Sequence, residues 1–380
     1  MIFKYAFRSL RSRIWEALAF AATVFLCLVL LLAIHGVIAQ RQAELDGVYQ
    51  NTEIGCVVTD ATGGTRSGLS IPAEYLGLFR EGGALYEHVT GLACHATASF
   101  LLLGEERVPL NLLNTLDAVA LFAENPVTYV DGYGDADLFG REAVAIIPEG
   151  LLSHVAADGS LTLSFPPRGE SSLTVRVIGT YPSDTAAIYL PLEAGQRLLE
   201  GSVNQITLRA LSFCVADNRT LNETKKALGK YFIAADPIHQ GSSRFGLWMD
   251  DAAFIDTVMV LERSIALLAL FRTVLWVLSS GVCLLVIFLL LRRRRHELAM
   301  MRSMGCGPLM LYGQVLCEMT VCFVFGAGIA SLVAASAAIL PVGKMIRVVA
   351  ILCGGCLTAA AGSVITLTSG DMMKILKGKE

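Results

Sequence analysis

Two kinds of hydrophobic pattern divide this chain. Four runs contain no Asp, Glu, Lys or Arg: residues 17–38, 273–291, 319–342 and 348–368, of 22, 19, 24 and 21 residues. A helix rising about 1.5 Å per residue needs roughly 20 such residues to cross the hydrocarbon of a bilayer. The runs therefore predict four transmembrane helices. Between the first two, residues 40–263 change period. Short segments rich in Val, Ile, Thr or aromatic residues and bounded by Gly, Pro, Asp or Ser predict strands at 53–59, 143–147, 160–165, 172–179, 187–190 and 204–208. Helical patterns fall between them at 72–80, 192–199 and 221–232. This order predicts an α+β domain rather than a doubly wound parallel sheet. The turn-rich Asp131-Gly132-Tyr133-Gly134-Asp135 is expected to mark a border between two lobes.

From Asp251 the chain runs without Pro or Gly to Ser280, and Val258, Leu261, Ile265 and Leu268 recur at three and four residues. One amphipathic helix is expected to enter the second span directly. Arg272 and Arg292 lie 20 residues apart, about 30 Å along a helix, so they can flank the hydrocarbon. After that span comes a short element in which Leu298, Met301 and Met304 recur every three residues. Gly305 and Gly307 are expected to stop it, and Pro308 to open the next helix. By composition alone this element suits the inner membrane face and lipid headgroups.

Charge turns the pattern into a topology. The formal net charge is only −3, with 54% hydrophobic and 17% charged residues, a balance unlike that of a disordered chain or an ordinary soluble enzyme. The small total is a cancellation. Residues 40–263 hold 28 acids and 15 bases, a net −13, and the remainder holds 5 acids and 15 bases, a net +10. Lys4, Arg8, Arg11 and Arg13 precede the first span; Arg292, Arg293, Arg294, Arg295 and Arg302 follow the second; Lys374, Lys377 and Lys379 lie beyond the fourth. Excess base marks the cytoplasmic side, so both termini are expected there and the acidic region on the far side. Only Lys344 and Arg347 are basic in the turn between spans three and four. The first run has 22 residues, longer than a roughly 7–15-residue signal-peptide core, and is read as a retained anchor. The acidic surface gives no basis for binding nucleic acid.

Candidate chemistry is sparse. Asp135 and Asp137 lack the position-twelve Glu of a calcium loop, and His88, His95, His154 and His239 have no metal-binding spacing. There is no G-x-S-x-G nucleophile motif and no G-x-x-x-x-G-K-[ST] phosphate loop. Catalytic, cofactor-binding and metal residues are accordingly expected to be none. Seven of the ten cysteines lie in or beside spans, where Cys packs as a small apolar residue; Cys353 and Cys356 are read in that way rather than as a redox pair. Cys56, Cys94 and Cys214 in the acidic region permit at most one disulfide. Small residues (Ser279, Ser280, Gly281, Gly326, Gly328, Gly354, Gly355) offer close helix packing within or between subunits. Glu318 is the one acid inside a span, able to pair with a base at the cytoplasmic face or to cap a helix contact.

Several motifs together carry a resemblance. From Arg294 to Gly305 the chain reads R-x-x-E-L-x-x-x-R-S-M-G. This resembles the segment after the second span of FtsX-like, MacB-type ABC transporter permeases, usually R-x-E-I-x-x-L-R-A-L-G. Gln314 to Glu318 followed by Gly326-Ala-Gly328 is similar to that family's third span. Tyr5-Ala-Phe-Arg8-Ser-Leu-Arg11 resembles its opening, and Gly370-Asp371 to Lys374 its tail, with Met372 where Pro is common. Val177-Ile178-Gly179, Ile188 to Leu192, Trp248 and Glu262-Arg263 fit its outer domain and its lipoprotein-releasing members.

The resemblance implies an α-helical membrane protein with four transmembrane helices plus a two-lobed α+β extracytoplasmic domain inserted between helices 1 and 2. The expected parts are a cytoplasmic segment at 1–13, helix 1 at 14–39, the outer domain at 40–250, stalk and helix 2 at 251–292, a coupling segment at 293–308, helices 3 and 4 at 309–342 and 347–368, and a tail at 369–380. It further implies a non-enzymatic permease working with a separate ATPase that holds ATP and Mg, docked on Arg295, Glu297, Leu298, Met301, Arg302 and Gly305. Implied partners are a second permease copy or a sister permease, membrane lipid, and an extracytoplasmic adaptor or substrate protein. The substrate would be a peptide, lipoprotein or drug-like molecule. Two other readings stay open: a membrane-anchored activator of an extracytoplasmic partner such as a cell-wall hydrolase, and a four-span sensor.

Overall fold

Each apolar run supplies the core of one long helix, although the third helix, expected at 309–342, ends at Ser336 and the fourth, expected from 347, already starts at Val342. In the computed structural model the four helices are α1 (Ile14–Asn51), α2 (Ala252–Ser303), α3 (Pro308–Ser336) and α4 (Val342–Ser369), and all four are long and apolar enough to cross a membrane. The structure describes residues 13–103, 106–138, 142–164, 172–183, 187–199, 206–239, 241, 243–337 and 341–369. The motifs expected at 5–11 and 370–374, the start of the strand expected at 204–208, and the side chain of Arg302 lie outside this description.

With 38 and 52 residues, α1 and α2 are about 57 and 78 Å long, well beyond the roughly 30 Å of hydrocarbon. The extension of α1 past residue 39 follows from helix-forming residues and local pairs: Arg41 binds Glu44 at 2.7 Å and Gln40 donates to Glu44 at 3.3 Å. The helix expected from the 251–268 pattern is part of α2, which contains no Pro and one Gly.

The chain divides into two compact units, Met1–Gly47 with Thr257–Glu380, and Val48–Asp256. In the helical unit the buried positions step by three or four: Phe20, Val24, Leu28 and Leu31 on α1; Cys283, Ile287 and Leu291 on α2; Leu311, Val315, Met319 and Cys322 on α3; Val348, Leu352, Cys356 and Ala360 on α4. Lipid is as apolar as these side chains, so close packing rather than water exclusion holds such helices. Gly326 permits the tightest approach. A Cβ there would lie 2.5 Å from the Ala21 carbonyl oxygen and 3.3 Å from Val24. At Gly281, Gly328, Gly354 and Gly355 a Cβ would meet no described atom of this chain, so of these glycines Gly326 is the one that sets a helix contact within the unit.

The inserted unit contains twelve described strands. They are β1 (Gly55–Thr59), β2 (Ile71–Pro72), β3 (Val89–Leu103), β4 (Glu106–Leu113), β5 (Thr128–Tyr129) and β6 (Val144–Pro148), then β7 (Ser160–Ser164), β8 (Ser172–Tyr181), β9 (Ile188–Pro191), β10 (Thr207–Val215), β11 (Ile233–Ala234) and β12 (Gly246–Met249). They join in the order β11-β12-β1-β10-β3-β4-β9-β6-β8-β5, with β2 on β10 and β7 bridging β3 and β8. Parallel pairs (β4 with β9, β6 with β8, β11 with β12) sit among antiparallel ones. Short helices occupy Leu192–Leu199 and Leu221–Leu228, and the helix expected at 72–80 is a 3₁₀ segment, Ala73–Phe79.

Six of the twelve described strands (β2, β3, β4, β5, β11 and β12) lie outside the expected segments, and β10 is longer than expected. β3 and β4 form a long hairpin that the periodicity did not reveal, because Gly, Ala, Thr and Ser interrupt the alternation of β3 and its register shifts between Thr97 and Phe100. β10 runs on to Val215, held on both sides by β1 and β3. Of the stretch 131–135, Asp131, Gly132 and Asp135 are exposed, while Tyr133 lies against a core of Phe122, Ile146, Tyr181 and Tyr189, and Tyr129 donates to Asp135 at 2.5 Å. The aromatic rings of Phe122, Tyr181 and Tyr189 meet edge to face at 4.9–5.7 Å. Cys56, Cys94 and Cys214 are all free thiols, and burial pushes Cys56 and Cys94 up to about 12.

Replacing Gly326 with Ala is expected to push α3 away from α1 and cost about 1–3 kcal/mol, as overpacking does. Thermal unfolding in detergent should show a lower midpoint for Gly326→Ala, with Gly328→Ala close to the parent protein.

Candidate functional site

The densest charge cluster in the helical unit forms where α2 leaves its apolar run. The buried face of α2 passes through Cys283, Ile287, Leu291, Arg294 and Leu298, at steps of four, four, three and four. Arg294 therefore falls on the seam, while Arg292, Arg293, Arg295 and His296 on the other faces are exposed. Arg294 is 9% exposed and Glu318 of α3 is 2% exposed. A guanidinium in such a place needs a carboxylate and further hydrogen bonds. Nη1 of Arg294 donates to Oε2 of Glu318, and Nε2 of Gln314, one turn before Glu318, donates to its other oxygen at 3.3 Å.

The cluster reaches α1 as well. Nε of Arg294 lies 3.7 Å from Oε2 of Glu16, and Arg13 lies 3.8 Å from the same oxygen. Arg13 also pairs with Glu297 of α2. Two arginines and three glutamates thus tie the first turn of α1, the basic end of α2 and the first half of α3 together. A cavity of about 10 Å³ lies beside Glu16, Arg294 and Glu318, lined also by Phe20, Met319 and Cys322. That volume is the lower limit for a single water molecule.

The end of α2 is fixed by backbone geometry. Gly305 has φ +89°, and the Cys306 N–H donates to the Met301 carbonyl at 3.1 Å. This is a Schellman cap, whose left-handed residue favours glycine. Gly307 then precedes Pro308, which opens α3 at its first turn. The reversal returns the chain at once into the bundle and places Glu318 against α2.

The six residues expected to meet an ATPase take different positions. Arg295 is exposed. Glu297 is half-exposed and held by Arg13. Leu298 is buried, and Met301 packs against the same bundle core. Gly305 is the helix cap, and the Arg302 side chain lies outside the description. The outward apolar positions are instead Met300 and Met304, at 50% and 76% exposure. Glu318, expected either to pair with a base or to cap a helix contact, pairs with a base. Sequence reasoning named Arg13 and Arg294 only as bases beside the spans and Arg294 and Gln314 only within motifs, and did not name Glu16. One signal was available: Arg294 occupies a three-then-four step among apolar seam residues.

A second pattern runs along the outer face of α2. Val260, Leu267, Leu270, Val274, Val277, Leu284 and Phe288 are 38–70% exposed, and with Gly281 they repeat at alternating steps of three and four after the first interval of seven. Val260, Leu267, Leu270 and Phe271 precede Arg272, outside the charge-free run. Among the described residues no group of three or more His, Cys, Asp or Glu is placed to hold a metal ion.

No protein-family model matches the chain, and no match is found among curated proteins. Solved structures with likeness to it include the periplasmic region of MacB from Actinobacillus actinomycetemcomitans, at 13% identity and a TM-score of 0.32, over 58% of this chain and 98% of that one. Another is the extracellular domain of the noncanonic ABC-type transporter YknZ from Gram-positive bacteria, at 15% identity and 0.30, over 52% and 100%. A domain of a permease protein from Porphyromonas gingivalis gives 14% identity and 0.27, over 52% and 86%.

Removing one member of the buried pair leaves the other uncompensated, at a cost of about 3–5 kcal/mol, whereas exchanging both for apolar residues of similar size is often neutral. Arg294→Met and Glu318→Leu are therefore each expected to lower the unfolding midpoint in detergent strongly, and the double variant to recover most of the loss. Additive losses would mean that the two side chains do not act as a pair.

Proposed function

We propose that this chain is the membrane-spanning permease subunit of an ABC transporter. A separate ATPase binds its basic, cytoplasmic end, and hydrolysis there moves a two-lobed extracytoplasmic domain that exports or extracts a peptide, lipoprotein or drug-like molecule. The observation that carries the reading is α2. A single helix of 52 residues without Pro begins at the end of the inserted domain, continues through the apolar run and ends in the arginine cluster. Pro is absent from it, and the Ser280-Gly281 step, another place where helices bend, lies within one continuous helix, so a push at Ser303 can travel along it.

The rest of the site fits this role. The inward Arg294 fixes the rotation of α2, and with it the outward direction of Arg292, Arg293 and Arg295, which with Met300 and Met304 form the docking face for the ATPase. Leu298 and Met301 hold that face to the bundle, and Gly305 ends it. ATP and Mg are bound by the ATPase, and this chain supplies no catalytic residue. The apolar stripe of α2 repeats every seven residues, as a helix-pairing seam does. Its upper part, Val260 to Phe271, lies where water rather than lipid is expected, so a second permease copy or a sister permease covers it. The charge pattern puts both termini in the cytoplasm.

The test is affinity capture of the full-length chain from native membranes after mild cross-linking. An ABC ATPase should be recovered with the parent protein, and replacing Arg292, Arg293 and Arg295 together by Glu should reduce its recovery at least about tenfold, a loss of about 1.4 kcal/mol or more. Recovery of a cell-wall hydrolase without any ATPase would favour the activator reading, and equal recovery by the charge-reversed variant would overturn the docking face.

A further inference from the structure

The inserted unit holds a pocket of about 200 Å³ that the charge cluster of the helical unit does not involve. Its floor is apolar and buried. Leu76 comes from the 3₁₀ segment, Leu113 ends β4, and Pro191 and Leu192 join β9 to the helix Leu192–Leu199. Its rim carries two exposed charges, Arg80 and Glu193. β4 and β9 run parallel, with Leu113 beside Pro191. The pocket therefore lies at the carboxyl ends of a parallel pair, the place where open α/β sheets bind ligands.

The walls are fixed by local contacts. The Asn114 side chain accepts from the Cys94 N–H at 2.7 Å and donates to the Leu92 carbonyl at 2.7 Å. A Cβ at Gly195 would overlap the Leu112 side chain, so glycine is what seats the helix this closely on β4. Phe79 packs against Phe213 of β10 with ring centroids 5.1 Å apart, and the Arg80 carbonyl accepts the Gly83 N–H at 2.7 Å. These contacts hold the segment that carries Arg80. Nη2 of Arg80 donates to Oε1 of Gln196, one of five N–H donors on a guanidinium. Among the described residues no carboxylate pairs with Arg80, although residues 40–263 hold 28 acids and 15 bases.

Size and charge together define a ligand. An apolar cavity of roughly 150 Å³ accepts benzene, whereas drug-sized ligands occupy roughly 300–1,000 Å³. The space suits one leucine-sized or phenylalanine-sized side chain. Guanidinium groups bind carboxylates through two parallel hydrogen bonds, and the first N–H groups of the helix that opens at Leu192 favour negative charge.

We propose that this pocket binds an apolar amino-acid residue with a free α-carboxylate, either as the amino acid itself or at the carboxyl end of a peptide. Arg80 takes the carboxylate, the side chain lies among Leu76, Leu113 and Leu192, and the α-nitrogen donates to Glu193. The inference does not depend on the transporter reading.

The experiment is calorimetric titration of the full-length chain in lipid nanodiscs with L-leucine, N-acetyl-alanyl-leucine and the carboxamide of each. The expected result is saturable binding of an acid form, weakened at least about tenfold in its amide and in Arg80→Gln. Tighter binding of L-leucine identifies the free amino acid as the ligand, and tighter binding of the blocked dipeptide identifies a peptide end. Equal affinity of acid and amide, unchanged binding by Arg80→Gln, or no binding of either acid up to about 10 mM, a free energy weaker than about −3 kcal/mol, overturns the proposal. The comparison of acid with amide uses the parent protein alone, so it decides the matter even where the variant fails to fold.

Discussion

A guanidinium withdrawn from water between carboxylates is the contact on which the basic end of the bundle depends. Burying an ion costs several kcal/mol that its partner only roughly repays, so Arg294 and Glu318 do not account for the stability of the bundle. Their effect is geometric. With one charge held inward, each following residue turns about 100° around α2, which sends Arg292, Arg293 and Arg295 outward. A mixed or apolar residue at 294 would leave the rotation of the helix to packing alone. The same pair binds α3 through Glu318 and brings α1 in through Glu16 and Arg13.

The length of α2 gives that rotation its reach. Helical hydrogen bonding satisfies the backbone through an apolar medium, and nothing in the run from Ala252 to Ser303 interrupts it. The helix is then stopped within two residues by a glycine in a left-handed conformation. A long uninterrupted helix, an abrupt stop and an immediate return into α3 together give a rod with a defined end.

In the inserted unit the constraint is of a different kind. Phe122, Tyr181 and Tyr189 come from separate elements, and their rings close a core next to the parallel pair β6 and β8. The buried Tyr181 hydroxyl donates to the Ala187 carbonyl at 2.8 Å, which satisfies a polar group that burial would otherwise penalise. Burial holds Tyr181 and Tyr189 protonated above the ordinary tyrosine range.

What could be read directly from the residues was whatever depends on local composition. The four apolar helices, the α+β character of the insertion, half of its described strands and the glycine stop after α2 all follow from runs, periods and turn residues within a few positions. The bulged strand β3 escaped because its period is broken and its register comes from β4 and β10. Among four consecutive arginines composition treats all alike, and only the step of three and then four from Leu291 to Leu298 marks Arg294. Which acids it meets, Glu318 from α3 and Glu16 from α1, is decided by the fold. Local sequence sets which segments become helices or strands, because backbone and side-chain preferences act over one turn or one pleat. Which charge is buried and which glycine touches a neighbouring helix are decided by contacts between segments far apart in the chain.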